Sequence, residues 1–226
     1  MSKFFSAIVI SLALSAAAFA GPCLQGSLQS YVDLEPAGCE LGAVSFSNFS
    51  IVPGLSFASV LDPTLVQVTP GGSSDSPNLL FSLNSSALTG ELFQSIFRFN
   101  AAGGLLGFPV ITLNSPAATG DGVVTGILDV CSGGSFQGDP PVGCTDPASA
   151  VAFYTANGST PREFVNGTFS SFFDVFVDLT VDGGLQGTAF LPSATVGLSA
   201  VPEPSAMILT AMGLAAVGVL RRRRTL

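Results

Sequence analysis

The stretch SSFFDVFVDLTVD, from Ser170 to Asp182, constrains the fold more than any other. Phe173, Val175, Val177, Leu179 and Val181 share one parity, and Asp174, Asp178 and Asp182 share the other with Phe172, Phe176 and Thr180. Successive side chains of a strand point to opposite faces, so this is a strand with one apolar and one mixed face. Similar runs occupy 43–52, 64–70, 78–84, 91–100, 108–114, 122–131 and 150–156, with glycines and prolines between them. Short strands at a spacing of roughly ten residues predict an all-β domain, sandwich-like in architecture. Residues 91–100 also show a helical spacing, Leu92/Phe93/Ile96/Phe97, but the run is short and reads as a strand. In 43–52 the apolar parity slips between Phe46 and Phe49, which predicts a bulge near Ser47-Asn48. Gly183-Gly184 predicts a turn that brings 185–200 back as the hairpin partner of 170–182, with Pro192 forcing a bulge or an edge position. The segment PGGSSDSPN, 70–78, reads as a surface loop.

Both ends are apolar. Lys3, the run Phe4–Ala16 and the pair Ala18/Ala20 have the three parts of a secretory signal, so residues 1–20 read as a signal peptide cleaved after Ala20. Residues 21–200 are then an all-β extracytoplasmic domain. The other end holds Pro202-Glu203-Pro204, an uncharged run from Ala206 to Leu220, and Arg221, Arg222, Arg223 and Arg224. As a helix, 206–220 is about 22 Å long. That is short for a hydrocarbon core of about 30 Å, but snorkelling arginine stems extend its reach. The arginines hold the C-terminus on the cytoplasmic side. The prolines keep the preceding segment extended, outside the membrane and out of the helix. The reading is a single C-terminal transmembrane helix presenting a stiff peptide just outside the bilayer.

Between Gly21 and Ala200 two basic residues, Arg98 and Arg162, stand against fourteen acidic ones, a net charge of −12. Such a body repels phosphate backbones, which argues against nucleic-acid binding. Cys23, Cys39, Cys131 and Cys144 all follow the signal peptide, in an oxidising compartment. Four cysteines allow three connectivities. Cys23–Cys39 and Cys131–Cys144 are favoured because each pair brackets a turn-rich segment.

The chain has no histidine, which excludes Ser-His-Asp and Cys-His chemistry, and Lys3 leaves with the signal peptide. No phosphate-cradling Gly-x-x-x-x-Gly-Lys occurs. A pair of carboxylates for glycoside hydrolysis is the remaining catalytic option, and no local pattern selects one. Calcium is the inorganic ligand the residues suit, through Asp139 and Asp146 or through Asp174, Asp178 and Asp182. Alternating aspartates on an exposed strand are usually a solubilising face that also blocks edge pairing, and the three strand aspartates read first as that. Neither a cofactor nor a metal is expected. Tryptophan is absent and the tyrosines are Tyr31 and Tyr154, a poor supply of platforms for sugar stacking.

Pro202-Glu203-Pro204, the short apolar run and the arginine cluster, in that order, resemble the PEP-CTERM sorting signal of Gram-negative bacteria. The resemblance covers Val201 to Thr225. It implies that an exosortase, a membrane cysteine protease, reads the tail, removes the helix and passes the body to the cell surface. Pro202, Glu203 and Pro204 would be the recognition motif, 206–220 a transient inner-membrane anchor, and Arg221–Arg224 the retention cluster. Residues 23–50 also resemble a recurrent opening of such proteins, carried by Cys23, Ser30-Tyr31, Gly38-Cys39 and Phe46-Ser47-Asn48-Phe49. That likeness supports the Cys23–Cys39 bridge and the fold class. The functional expectation is an exported, non-catalytic surface or matrix protein, with an exopolysaccharide matrix as a further partner. The alternatives are a secreted glycan- or calcium-binding module, and behind it a carboxylate-dependent hydrolase.

Overall fold

Alternating β-branched and aromatic residues suit a pleated surface buried on one side. The computed structural model describes residues 20–54, 56–137, 142–144 and 146–200, and it is built almost wholly of strands. In chain order these are β1 (Gly21–Pro22), β2 (Gly26–Ser27), β3 (Cys39–Leu41), β4 (Val44–Val52), β5 (Ser59–Val60), β6 (Gln67–Ser73), β7 (Ser76–Ala87), β8 (Leu92–Asn114), β9 (Ala117–Thr119), β10 (Val123–Ser132), β11 (Pro147–Thr155), β12 (Gly158–Thr160), β13 (Arg162–Phe164), β14 (Phe169–Asp182) and β15 (Thr188–Ala200). One short helix, α1 (Leu28–Val32), lies between β2 and β3. Sequence reasoning missed it; Ser27 caps it by accepting from the Ser30 amide at 3.1 Å.

The all-β expectation holds. The strands hydrogen-bond into one continuous open sheet rather than into two separate ones. Its axis is β8. Along one edge of β8 run β14 and then β13. Along the other edge β4 pairs with the first half, 96–103, and β15 with the second, 106–114. The sheet doubles over itself. The Phe81 ring of β7 lies 4.4 Å from that of Phe97 on β8, although β15 separates these strands in the ladder. A Cβ at Gly126 on β10 would come within 2.9 Å of the ends of the Ile111 and Leu113 side chains on β8, so glycine gives these layers room to approach.

The main core fills the space between the facing layers. Phe46, Phe49, Phe97, Phe99, Phe173, Leu128 and Leu179 are buried in it, each worth about 1.5–3 kcal/mol relative to exposure. A second cluster lies on the opposite face of the first half of β8: Val52, Ile96, Cys131, Phe136 and Phe176. Disulfides join Cys23 to Cys39 and Cys131 to Cys144, as expected.

Several local expectations hold. The bulge in β4 falls between Ser47 and Ser50, with Asn48 at φ 54°. Pro192 sits at a register shift in β15. Others need correction. The runs 91–100 and 108–114 are one 23-residue strand, since the Gly-rich link between them stays extended. Residues 70–78 form the tip of the β6–β7 hairpin, paired as far as Ser73 and Ser76, rather than a loop. β14 and β15 are not hairpin partners. After the turn at Gly183-Gly184 the chain crosses to the far edge of β8, because β8 is long enough to hold β14 on one side and β15 on the other.

Candidate functional site

The mixed face of β14 is no solubilising face. Asp174 is fully buried, and its side-on partner is Arg98 of β8. Arg98 Nε donates to Asp174 Oδ1 at 2.8 Å, and Nη2 donates to Oδ2. Nη2 also donates to the Phe136 carbonyl at 2.7 Å, while the Phe136 amide donates to Asp174 Oδ2 at 2.8 Å. The carboxylate raises the Arg98 pKa further above its ordinary value. A buried carboxylate needs such a partner, and Arg98 is one of the two cations between Gly21 and Ala200 that can supply it. The pair also pins the segment closed by Cys131–Cys144, which covers this face of β8 with Phe136.

Four residues along, Asp178 has neutral partners. Gln94 Nε2 donates to both of its oxygens, at 3.1 and 2.9 Å, and Thr180 Oγ1 donates at 3.0 Å. Burial pushes the Asp178 carboxyl up, those hydrogen bonds pull it down, and the nearby Asp129 charge pushes it up again; burial is the largest effect. Asp182 accepts from the Gly184 amide at 2.8 Å. The three strand aspartates thus have separate partners. Asp146 is exposed, and Asp139 lies outside the described residues. Among the described residues no three His, Cys, Asp or Glu side chains group as a metal ion would require.

The described residues form clefts, three of which have defined linings. A polar one of about 300 Å³ is lined by Glu35, Asn48, Ser50, Arg98, Asn100 and Ser135. A second, of about 330 Å³, lies by Leu24, Tyr31 and Leu34. There burial pushes the Tyr31 hydroxyl up to about 12, and it donates to the Leu24 carbonyl at 2.7 Å. The third lies by Gly42 and Gly103, with Glu40 in its wall. None of the three brings two carboxylates together, as hydrolysis of a glycoside would need.

The second half of β8 is built differently. Leu106, Pro109, Ile111 and Leu113 are buried, while Phe108, Val110 and Thr112 alternate with them on the outer face. Phe108, at φ 49°, meets the Phe169 ring edge-on at 5.1 Å, and both rings are 45% exposed. Phe164, opposite Val110, stays 40% exposed with the Arg162 guanidinium 4.8 Å above its ring. No signal in the sequence marked Phe108, Phe164 or Phe169. Beside them β15 ends: Ser199 pairs with Gly107 and Ala200 with Leu106. The expected sorting residues, Pro202, Glu203, Pro204 and Arg221–Arg224, and the expected helix 206–220 follow that point and lie outside the described residues, as does the signal peptide up to Phe19. No helix of the described residues is long and apolar enough to cross a membrane.

A family model, the PEP-CTERM protein-sorting motif, matches residues 200–224. This chain carries a PEP-CTERM sorting motif. The match begins at the last residue of β15, so the PEP-CTERM segment starts where the described sheet ends. The motif implies recognition by an exosortase, a membrane protease, and implies export with membrane-anchored sorting before surface release. Comparison with curated proteins and with solved structures found no match.

Proposed function

We propose that this is an exported, non-catalytic surface or extracellular-matrix protein, delivered by exosortase processing of its PEP-CTERM tail. The signal peptide takes the chain across the inner membrane. The 206–220 helix holds it there until the protease cuts near Pro202-Glu203-Pro204, and the acidic body joins the envelope surface or the exopolysaccharide outside. The doubled sheet serves as a sandwich-like scaffold that two disulfides make durable outside the cell. The observation that carries this reading is the sorting motif at 200–224, joined directly to the last strand. The missing histidine and the three described clefts, each with at most one carboxylate, support a body without catalysis. Intact-mass measurement of the protein at the native cell surface tests it. The expected mass lacks the helix and arginines. A surface form retaining Arg221–Arg224 would overturn the processing step.

A second reading, a glycan-binding module, rests on the polar cleft of Glu35, Asn48, Ser50, Arg98, Asn100 and Ser135. Amides, hydroxyls and a guanidinium are groups that bind sugar hydroxyls. Titration with matrix oligosaccharides should then show binding that Asn48→Ala and Asn100→Ala weaken, and no binding would remove this reading.

A further inference from the structure

We propose that the aromatic corner formed by Phe108 and Phe169, with Phe164 and Arg162 beside it, seats the body on the lipid bilayer interface while the tail is still inserted. This rests on the tail being a membrane anchor. The described chain ends beside this corner. Ala200 pairs with Leu106, two residues from Phe108, and Ser199 and Phe169 both pair with Gly107 from opposite sides. At about 3.3 Å per residue the exit point is roughly 7 Å along the strand from Phe108.

Chain length then limits how far the corner can stand from the membrane. The expected apolar run begins at Ala206. From Ala200 to Ala206 an extended chain reaches about 20 Å at most. A bilayer has about 30 Å of hydrocarbon within about 40–45 Å overall, so each headgroup layer takes up about 6 Å of that reach. The exit of the chain, beside the corner, is therefore tethered within about 14 Å of the headgroups, close enough for the corner to reach them.

Its chemistry suits that position. Phe108 and Phe169 are each 45% exposed, although a ring on a water-facing sheet gains nothing from exposure. Rings at headgroup depth bury apolar area without leaving the body. The charge agrees. In a body of net charge −12, Arg98 is engaged with Asp174, whereas Arg162 stands on the Phe164 ring; among the described residues its partner is that ring and not a carboxylate. The available cation therefore lies on the same outer face as the exposed phenylalanines, where anionic headgroups would meet it. Elsewhere the acidic body is repelled by such lipids, which leaves this face as the one to approach them.

The chain contains no tryptophan, so each introduced one is a lone reporter. The exported chain with its tail intact is reconstituted in vesicles of phosphatidylethanolamine and phosphatidylglycerol, with and without brominated acyl chains. Phe108→Trp and Phe169→Trp report on the corner and Met207→Trp on the tail. Phe57→Trp is the control, 74% exposed and close to Ser59, which pairs with Phe93 near the other end of β8. The expected result is bromolipid quenching of the reporters at 108, 169 and 207 but not of the one at 57. Either corner variant suffices if the other fails to fold. Quenching at 207 alone would overturn the seating and leave the anchor standing. No quenching at 207 would overturn the anchor and the seating together. A blue shift at 108 and 169 without bromolipid quenching would mean that protein, the chain's own tail or a second copy, covers the corner, and would also overturn the proposal.

Discussion

The two halves of β8 carry similar residues and meet different fates. The first half is covered on both faces, by the main core through Phe97 and Phe99 and by the disulfide-closed segment through Ile96 and Phe136. The second half is covered on one face alone and leaves Phe108 in solvent. The partner strand changes at the same place, from β4 to β15, and the PEP-CTERM tail begins there. A strand buried on both sides must satisfy every polar group it encloses, and so the first half contains Arg98–Asp174 and Gln94–Asp178. A strand open on one side has no such obligation and is free to present a surface.

A large effect should come from breaking the covered half at its ion pair. Arg98→Met leaves Asp174 buried without a counter-charge and should cost about 3 kcal/mol in urea unfolding. That is the low end of the range, because Arg98 keeps 26% exposure. The double change Arg98→Met/Asp174→Leu should recover most of the loss. Removing the cover itself, by Cys131→Ser with Cys144→Ser, opens a loop of sequence separation 13 and should also cost about 3 kcal/mol. Phenylalanines in the two halves give a direct contrast. Phe97→Ala should cost about 3–5 kcal/mol. Phe108→Gly should change stability by under about 1 kcal/mol, since relief of its left-handed backbone offsets the loss of a half-exposed ring.

The smallest effect is a pH dependence. The folded pKa of Asp178 is raised, so between the unfolded value and that raised value the native state binds more protons than the unfolded one. Stability should therefore fall as pH rises through that window, and the burial cost should be fully present above it. Asp178→Asn should flatten this part of the stability–pH curve measured by denaturant titration. Asp121 has the opposite sign. Its carboxyl, held low by the Gln186 and Leu185 amides, adds stability above the unfolded value, and this is lost as pH falls through the lowered one.

Much of the sheet was legible because strand alternation is a local property. The parity of 170–182, the bulge at Ser47-Asn48 and the break at Pro192 can each be read from a few neighbouring residues. The sorting motif was legible for the same reason: its three parts lie in order within 200–224. Asp174 was misread because alternation tells which side chains share a face but not whether something covers that face. Its cover centres on Phe136, 38 residues away, in the segment closed by the Cys131–Cys144 bridge.

By itself the sequence determined the strands, the acidic body with its two cations, the lack of histidine chemistry and the address at the C-terminus. Tertiary structure alone decided that β14 and β15 flank β8 instead of each other, that Arg98 answers Asp174, and that Phe108 and Phe169 remain exposed beside the exit of the tail. The reason is physical: strand formation depends on neighbours along the chain, whereas pairing, charge compensation and exposure depend on what a distant segment brings to the same place.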